Sequence, residues 1–176
     1  MAANSKGRDC SLKKLRYFIM DVDGTLTDGK IYIGGNGELM KAFHVKDGWG
    51  IQNILPLLGL TPIIITGRKS QIVVNRCKEL GISHLYQGVS HKLVQLVQIL
   101  GKEEDLSQVV YIGDDVNDLE CMQKVKHFGG VIGCPSDASK EVLEIVDFKS
   151  QFAGGEGAVR DFIGFIQELM EGMQKK

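Results

Sequence analysis

A repeated alternation of short apolar runs with segments of helical periodicity constrains the fold more than any other feature of the sequence. Four runs are almost continuously apolar and end close to Gly, Asp, Thr or another turn-forming residue: Leu15–Val22, Pro62–Thr66, Val109–Gly113 and Phe128–Ile132. Runs without a polar face are typical of strands that are covered on both sides, as in a parallel sheet. Because helical segments separate the runs, we expect an α/β fold with a doubly wound, mostly parallel sheet.

The segments between these runs have the spacing of amphipathic helices. In His91–Leu100, for example, Leu93, Val97 and Leu100 recur at intervals of three and four residues. Helices are likewise expected at Gly48–Leu58, Ser70–Leu80, Asn117–Val125, Ala138–Val142 and Gly157–Met173.

One segment departs from the alternation. Lys30–Ile33 and Glu38–Phe43 flank the glycine-rich turn Gly34-Gly35-Asn36-Gly37, which predicts a β-hairpin inserted after the first strand. The sequence has no linker rich in proline or serine and no internal repeat. We therefore expect a single domain over residues 1–176, with residues 1–12 forming a loose tail.

Charge and cysteine content narrow the classes of function. The chain has 21 basic and 22 acidic residues and a net charge of −1, whereas a general nucleic-acid-binding protein usually has a basic surplus. Its 4 cysteines lack the spacing of a zinc site or a disulfide framework, which indicates reduced thiols and a cytoplasmic location. The longest apolar stretch, Ile54–Ile65, is broken by Pro56, Gly59 and Pro62, so we expect no membrane span. The early apolar run Tyr17–Met20 is too short for an export signal.

Two carboxylates stand at the end of the first predicted strand, in Asp21-Val22-Asp23-Gly24. Open α/β sheets bind ligands at the carboxyl ends of their strands. Gly24 permits a bend that brings both carboxylates into one pocket and lets backbone N–H groups approach an anion. In such a pair, Asp21 can accept a phosphoryl group while Asp23 protonates the leaving oxygen and later activates water. Taken alone, the motif also fits a surface turn or the start of a calcium-binding loop.

Further polar groups follow at the ends of later elements. The second predicted strand ends in Thr66-Gly67-Arg68, where a hydroxyl and free backbone amides can hold a phosphate. Lys92 begins a later helix, where its ammonium can neutralise a phosphoryl oxygen. The third strand leads into an acid cluster at Asp114, Asp115 and Asp118, which favours a hard cation such as Mg²⁺.

With an acid pair, a threonine, a lysine and an acid cluster in this order, the chain resembles the haloacid dehalogenase superfamily of phosphotransferases over nearly its whole length. The resemblance implies that Asp21 is the nucleophile and Asp23 the general acid and base. It implies a phosphate site at Gly24, Thr66, Gly67 and Lys92. It also implies a Mg²⁺ site at Asp21, the backbone carbonyl of Asp23 and Asp114, with Asp115 and Asp118 as supporting acids.

Many members of that superfamily carry a cap domain over the site. Only 42 residues separate Asp23 from Thr66, so we expect no cap domain here. Four segments are similar to the capless 3-deoxy-D-manno-octulosonate 8-phosphate phosphatase family: Phe43–Ile51, Arg76–Ile82, His84–Gly88 and Gly154–Arg160. This similarity implies a cytoplasmic homotetramer that is assembled by the hairpins, in which neighbouring subunits complete each pocket. It also implies a step in the synthesis of a lipopolysaccharide precursor.

The substrate implied by this resemblance is a 2-keto-3-deoxy sugar acid phosphate. Arg68, Lys46 and Arg160 are the candidates for binding its carboxylate, because arginine matches carboxylate geometry with two hydrogen bonds. The glycine-rich segment Gly154–Gly157 is the candidate for a lid over a neighbouring subunit's site.

Three alternatives stay open at this point. Phosphatases of nine-carbon 2-keto sugar acid 9-phosphates share the same scaffold, and Thr25 is the generic superfamily residue where the eight-carbon branch often has an apolar one. A non-catalytic tetramerisation module related to acylneuraminate cytidylyltransferases is the second alternative. The third, a receiver domain of a signalling relay, normally has its acceptor aspartate on the third strand and lacks a partner acid two residues later.

Overall fold

The computed structural model describes residues 15–174, and the tail predicted for residues 1–12 lies outside the described residues. The strands of the described part are β1 (Tyr17–Met20), β2 (Tyr32–Gly34), β3 (Gly37–Met40), β4 (Thr61–Thr66), β5 (His84–Gln87), β6 (Val109–Ile112), β7 (Val131–Cys134) and β8 (Phe148–Lys149). Its helices are α1 (Val45–Asn53), α2 (Gln71–Leu80), α3 (Lys92–Leu100), α4 (Val116–Phe128), α5 (Lys140–Leu143) and α6 (Ala158–Gln174), with a 3₁₀ helix at Glu103–Gln108.

Six of these strands form a parallel sheet in the order β5-β4-β1-β6-β7-β8. The chain builds the sheet outward from β1 in both directions, first through β4 and β5 and then through β6 to β8. The carboxyl ends of β1, β4 and β6 therefore surround the point where the winding reverses, which is where open α/β sheets bind ligands. The predicted doubly wound α/β fold is confirmed.

The sheet is covered on both faces, as the continuous apolar runs predict. In β1, Phe18 and Met20 pack on the face that carries α1, α2 and α6, and Ile19 packs on the face that carries α3 and α4. All four residues of β6 are buried. Side chains alternate between the two faces of a strand, and here both faces are covered by apolar layers. Each residue of these central strands must therefore be apolar or have a hydrogen-bond partner for its polar group.

Some predicted boundaries were wrong. The run Phe128–Ile132 was expected to be one strand, but α4 continues through Phe128 and ends at Gly129, whose φ of 91° is the left-handed conformation typical of a helix end. β7 accordingly begins later, at Val131. The helix expected at Gly48–Leu58 begins earlier, at Val45, and gives way to turns after Asn53.

The hairpin that was predicted after the first strand is present as the antiparallel pair β2 and β3. Ile33 lies opposite Glu38, and Gly34 lies opposite Gly37. Four apolar side chains of the hairpin are exposed: Ile31, Ile33, Leu39 and Met40. An insertion of this length adds a two-stranded arm to the domain and contains no separate cap.

Within residues 15–174, no helix combines the length and the apolar character that crossing a bilayer requires.

Asp47 joins helix α1 to the start of helix α6. Its side chain is buried, and Oδ1 accepts a hydrogen bond of 2.7 Å from the backbone N–H of Arg160, the third residue of α6. The first N–H groups of a helix have no partner within the helix, so Asp47 satisfies one of them from a neighbouring element. Desolvation raises the pKa of Asp47 in spite of this bond.

Replacing Asp47 tests this cap. We expect Asp47→Ala to lower the free energy of unfolding by about 1–2 kcal/mol, since the N–H of Arg160 then loses its acceptor. Asp47→Asn keeps an acceptor oxygen and should cost less than half as much. Urea unfolding at a fixed protein concentration measures both values. Equal losses for the two variants would show that the hydrogen bond contributes nothing to stability.

Candidate active site

The reversal point of the sheet brings together the polar residues that follow three central strands. Asp21 directly follows β1, Thr66 ends β4 and Asp114 lies two residues beyond β6, while Lys92 begins α3. Asp21, Thr66 and Lys92 are each at most 4% exposed. Parallel strands place their carboxyl ends at one edge, so residues far apart in the sequence meet in one pocket.

Lys92 is the buried cation between Asp21 and Asp118. Its Nζ lies 2.9 Å from Asp21 Oδ1 and 2.8 Å from Asp118 Oδ1, and its side chain is 3% exposed. Desolvation is the largest single effect on the pKa of Lys92 and lowers it, but Asp21 and Asp118 together raise it above its ordinary value. Lys92 is therefore a fixed positive charge at the site.

Asp118 fixes the position of Lys92 from the buried side of the pocket. It is fully buried, and its Oδ1 also accepts a hydrogen bond of 2.6 Å from the Tyr111 hydroxyl. Its Oδ2 accepts one of 3.3 Å from the backbone N–H of Asp114. With both oxygens occupied, Asp118 supports Lys92 and the loop that carries Asp114. The neighbouring Asp115 is exposed and caps α4 through a 2.8 Å bond from the N–H of Val116.

The loop after β1 fits closely against Asp114. Thr25 donates a hydrogen bond of 2.8 Å from Oγ1 to Asp114 Oδ1. Gly24 has a φ of 94°, and a Cβ at this position would overlap the Asp114 carboxylate. Glycine is thus required both by the backbone conformation and by the space that the carboxylate occupies.

The carboxylates of the pocket fit a divalent cation. Asp21, Asp114 and Asp118 each offer an oxygen, and these oxygens lie within 4.8 Å of one another. Desolvation and then Asp118 raise the pKa of Asp21 to about 6, against the opposing effect of Lys92. Desolvation and then Asp21 raise the pKa of Asp114 to about 7. Buried carboxylates that repel each other are suited to a hard cation with oxygen ligands.

The observed cluster differs in one member from the set implied by the resemblance. That set contains Asp21, Asp114 and the backbone carbonyl of Asp23, whereas the clustered side chains include Asp118. Asp118 already accepts hydrogen bonds at both oxygens, so we assign it a supporting part.

Asp23 lies at the side of the pocket that faces the hairpin. Its carboxylate is paired with Lys41, and its Oδ2 lies 3.8 Å from Arg68 Nε. Arg68, one of the three candidates for binding a substrate carboxylate, is thus beside the predicted general acid.

The other two candidates lie elsewhere in the subunit. Lys46 and Arg160 line a groove of about 350 Å³ together with His44, Glu156 and Phe165, and none of the pocket's aspartates belongs to that lining. Arg160 also stacks over Trp49, with its guanidinium carbon 5.6 Å from the ring centroid. A role for Lys46 and Arg160 in substrate binding stays a prediction.

The glycine segment Gly154–Gly157 packs against the loop of its own chain. The N–H of Gly155 donates to the carbonyl of Thr25, and a Cβ on Gly154 would overlap the carbonyl of Gly24. The N–H of Gly154 donates to Asp137 Oδ1 at 2.9 Å. These contacts make the segment a support for the loop after β1 within the same subunit. A lid over a neighbouring subunit's site stays a prediction.

Three contributors to the site escaped the sequence analysis: Lys41, Glu38 and Tyr111. A signal existed for Tyr111, because a tyrosine in an otherwise aliphatic strand needs a partner for its hydroxyl. For Lys41 and Glu38 the sequence gives only two charges on a hairpin, and their partners are set by the folded chain.

Comparison with known proteins identifies curated sequence relatives and similar solved structures. No family model matches the chain. The 3-deoxy-D-manno-octulosonate 8-phosphate phosphatase of Escherichia coli is 44% identical over 150 residues, which cover 85% of this chain and 77% of the relative. The Yersinia pestis enzyme of the same name is 40% identical over 162 residues, covering 90% of this chain and 84% of the relative.

Solved structures agree with these sequence relatives. The Moraxella catarrhalis phosphatase of that name, solved in complex with a magnesium ion, a phosphate ion and a KDO molecule, is 36% identical with a TM-score of 0.81. The alignment covers 98% of this chain and 97% of that one. A hydrolase of the HAD superfamily from Legionella pneumophila is 33% identical with a TM-score of 0.81, covering 98% of this chain and 95% of that one. With this fold, this pocket and these relatives, the chain belongs to the 3-deoxy-D-manno-octulosonate 8-phosphate phosphatase family of the haloacid dehalogenase superfamily.

Proposed function

We propose that this protein is a Mg²⁺-dependent phosphatase that hydrolyses 3-deoxy-D-manno-octulosonate 8-phosphate through an aspartyl-phosphate intermediate. The observation that carries the proposal is the buried Lys92, 2.9 Å from Asp21 at the reversal point of the sheet. An ammonium fixed beside a buried carboxylate allows the carboxylate to approach a phosphoryl group without uncompensated repulsion. The names and identities of the relatives support the choice of substrate.

Two proton-coupled displacements complete the reaction. First, a carboxylate oxygen of Asp21 forms a bond to phosphorus as the bond to the sugar oxygen breaks, and Asp23 gives its proton to that oxygen. Then Asp23 takes a proton from water as the water oxygen attacks phosphorus, the Asp21 carboxylate leaves, and inorganic phosphate is released. The backbone of Gly24 and Gly67, with Thr66 and Lys92, holds the phosphoryl oxygens.

The carboxylates of Asp21 and Asp114, with the backbone carbonyl of Asp23, would hold the Mg²⁺. When bound, the ion would reduce the repulsion between the negative charges of the phosphoryl group and Asp21. The raised pKa values of Asp21 and Asp114 support this assignment, since the buried Asp21 and the half-buried Asp114 lie close to other negative charges.

The assembly and location belong to the same proposal. The chain forms a single phosphatase domain, and the exposed apolar side chains of the hairpin hold four copies together. Cys77, Cys121 and Cys134 are free and buried, which supports a location in the reducing cytoplasm. There the enzyme would act in the synthesis of a lipopolysaccharide precursor. Lys46 and Arg160 would bind the substrate's carboxylate in that assembly, alongside Arg68.

A phosphate-release screen tests the function. With Mg²⁺ present, we expect kcat/KM for the eight-carbon 8-phosphate to exceed that for nine-carbon 2-keto sugar acid 9-phosphates by at least about tenfold. Asp21→Asn should lower kcat by at least about 10²-fold, since the nucleophile is lost. Asp28→Asn removes a half-buried acid just before the hairpin and should keep the wild-type rate. A preference for the nine-carbon substrate would reassign the substrate. Absence of release from every phosphate would favour the non-catalytic module.

A magnesium titration tests the metal site. Asp114→Ala should raise the Mg²⁺ concentration needed for half-maximal activity by at least about tenfold, because a charged ligand is removed. Glu120→Gln, which removes one exposed acid from helix α4, serves as the matched control and should leave the titration unchanged. Identical titrations for Asp114→Ala and the wild type would place the cation elsewhere.

Sedimentation tests the assembly. We expect the wild type to sediment as a tetramer and Ile33→Asp to sediment as a smaller species, because an ionised side chain cannot be buried between hairpins without a partner. Leu57→Asp changes a similarly exposed apolar residue outside the hairpin and should leave the tetramer intact. A monomeric wild type, or an unchanged mass for Ile33→Asp, contradicts the hairpin assembly.

A further inference from the structure

Lys41 is a buried cation that the reaction as described does not use. It directly follows strand β3 of the hairpin, and its side chain is 1% exposed. Its ammonium contacts Asp23 Oδ1 and lies 3.1 Å from Glu38 Oε1. A lysine is rarely buried unless it is paired, so this position is built around the two carboxylates.

Glu38 ties Lys41 to a second loop of the pocket. Its Oε2 accepts a hydrogen bond from the hydroxyl of Ser70, the residue that caps helix α2. Ser70 closes the loop that begins with Thr66, where the phosphoryl group is proposed to bind. The contacts therefore run from the phosphate loop through Ser70, Glu38 and Lys41 to Asp23.

The pairing makes the two oxygens of Asp23 unequal. Oδ1 contacts Lys41, which has only donors, so that oxygen can only accept. Oδ2 lies on the side of the half-exposed Arg68, 3.8 Å from its Nε. A proton carried by Asp23 for the leaving group therefore sits on Oδ2.

We propose that Lys41 is a positioning residue that holds Asp23 with Oδ2 toward the leaving oxygen. This inference rests on the proposed function, in which Asp23 gives a proton to the leaving oxygen as the bond between that oxygen and phosphorus breaks. Without Lys41 the Asp23 carboxylate can rotate, and a misplaced proton donor is less effective in the transition state. Glu38 acts one contact further away by fixing Lys41.

The leaving group of the substrate distinguishes this role from substrate binding. A proton donor matters most when the leaving oxygen is strongly basic and little when it is weakly basic. The test uses aryl phosphates of similar size whose phenols differ in acidity, from phenyl phosphate to 4-nitrophenyl phosphate. Because kcat/KM covers the steps up to release of the phenol, it isolates the transfer to Asp21 from the later attack by water.

We expect Lys41→Met to lower kcat/KM for phenyl phosphate by at least about tenfold, and for 4-nitrophenyl phosphate by less than about threefold. A plot of log kcat/KM against the acidity of the phenol should be steeper for Lys41→Met than for the wild type. Lys41→Arg keeps the ion pair and should restore most of the wild-type slope. Lys30→Met removes an exposed lysine that begins the same hairpin and should leave the slope unchanged.

Circular dichroism and sedimentation establish that each variant is folded and assembled. Should Lys41→Met unfold, Glu38→Gln carries the test, with a smaller steepening in the same direction. Parallel plots for a folded Lys41→Met and the wild type would overturn the positioning role, since equal losses on all substrates indicate binding alone. A wild type that releases no phosphate from aryl or sugar-acid phosphates would instead overturn the proposed function itself.

Discussion

The ammonium of Lys92 between Asp21 and Asp118 is the interaction on which the pocket depends. Three charged groups are almost fully removed from water there, and each alone would carry a large desolvation cost. The attraction of Lys92 for both carboxylates offsets that cost only while the geometry is kept. Additional hydrogen bonds to Asp118, from the Tyr111 hydroxyl and the Asp114 backbone N–H, maintain that geometry.

Requirements on the backbone follow from this buried charge. The loop after β1 must pass close to Asp114, and only a glycine at position 24 leaves room for that carboxylate. The same loop is supported from its other side by Gly154, which in turn lies against the carbonyl of Gly24. Gly24 and Gly154 are therefore positions of close packing, at which any side chain would overlap a neighbouring group.

The sequence predicts the central sheet and the acids of the pocket because both depend on local patterns. Central strands such as β6 are apolar throughout, so their ends can be read from the sequence. The acids of the pocket stand just after these ends. β5 and β8 were missed because edge strands carry a weaker signal: β5 begins with the exposed His84, and β8 has only two residues. The partners of Lys41 were beyond reach for another reason. Asp23 and Lys41 are 18 residues apart, and only the return path of the hairpin brings them together.

The hairpin has two physically different parts, and together they explain why it is placed directly after the first strand. Its outer part exposes Ile33 and Leu39, whose burial needs another surface. Its base buries Lys41, whose charge needs the acids of the pocket. An arm whose first strand begins nine residues after Asp23, at Tyr32, can return a side chain to it without a long loop. If copies of the chain associate through the outer part, the arm that carries Lys41 becomes fixed at both ends. The geometry around Asp23 then depends on assembly as well as on the fold of one subunit.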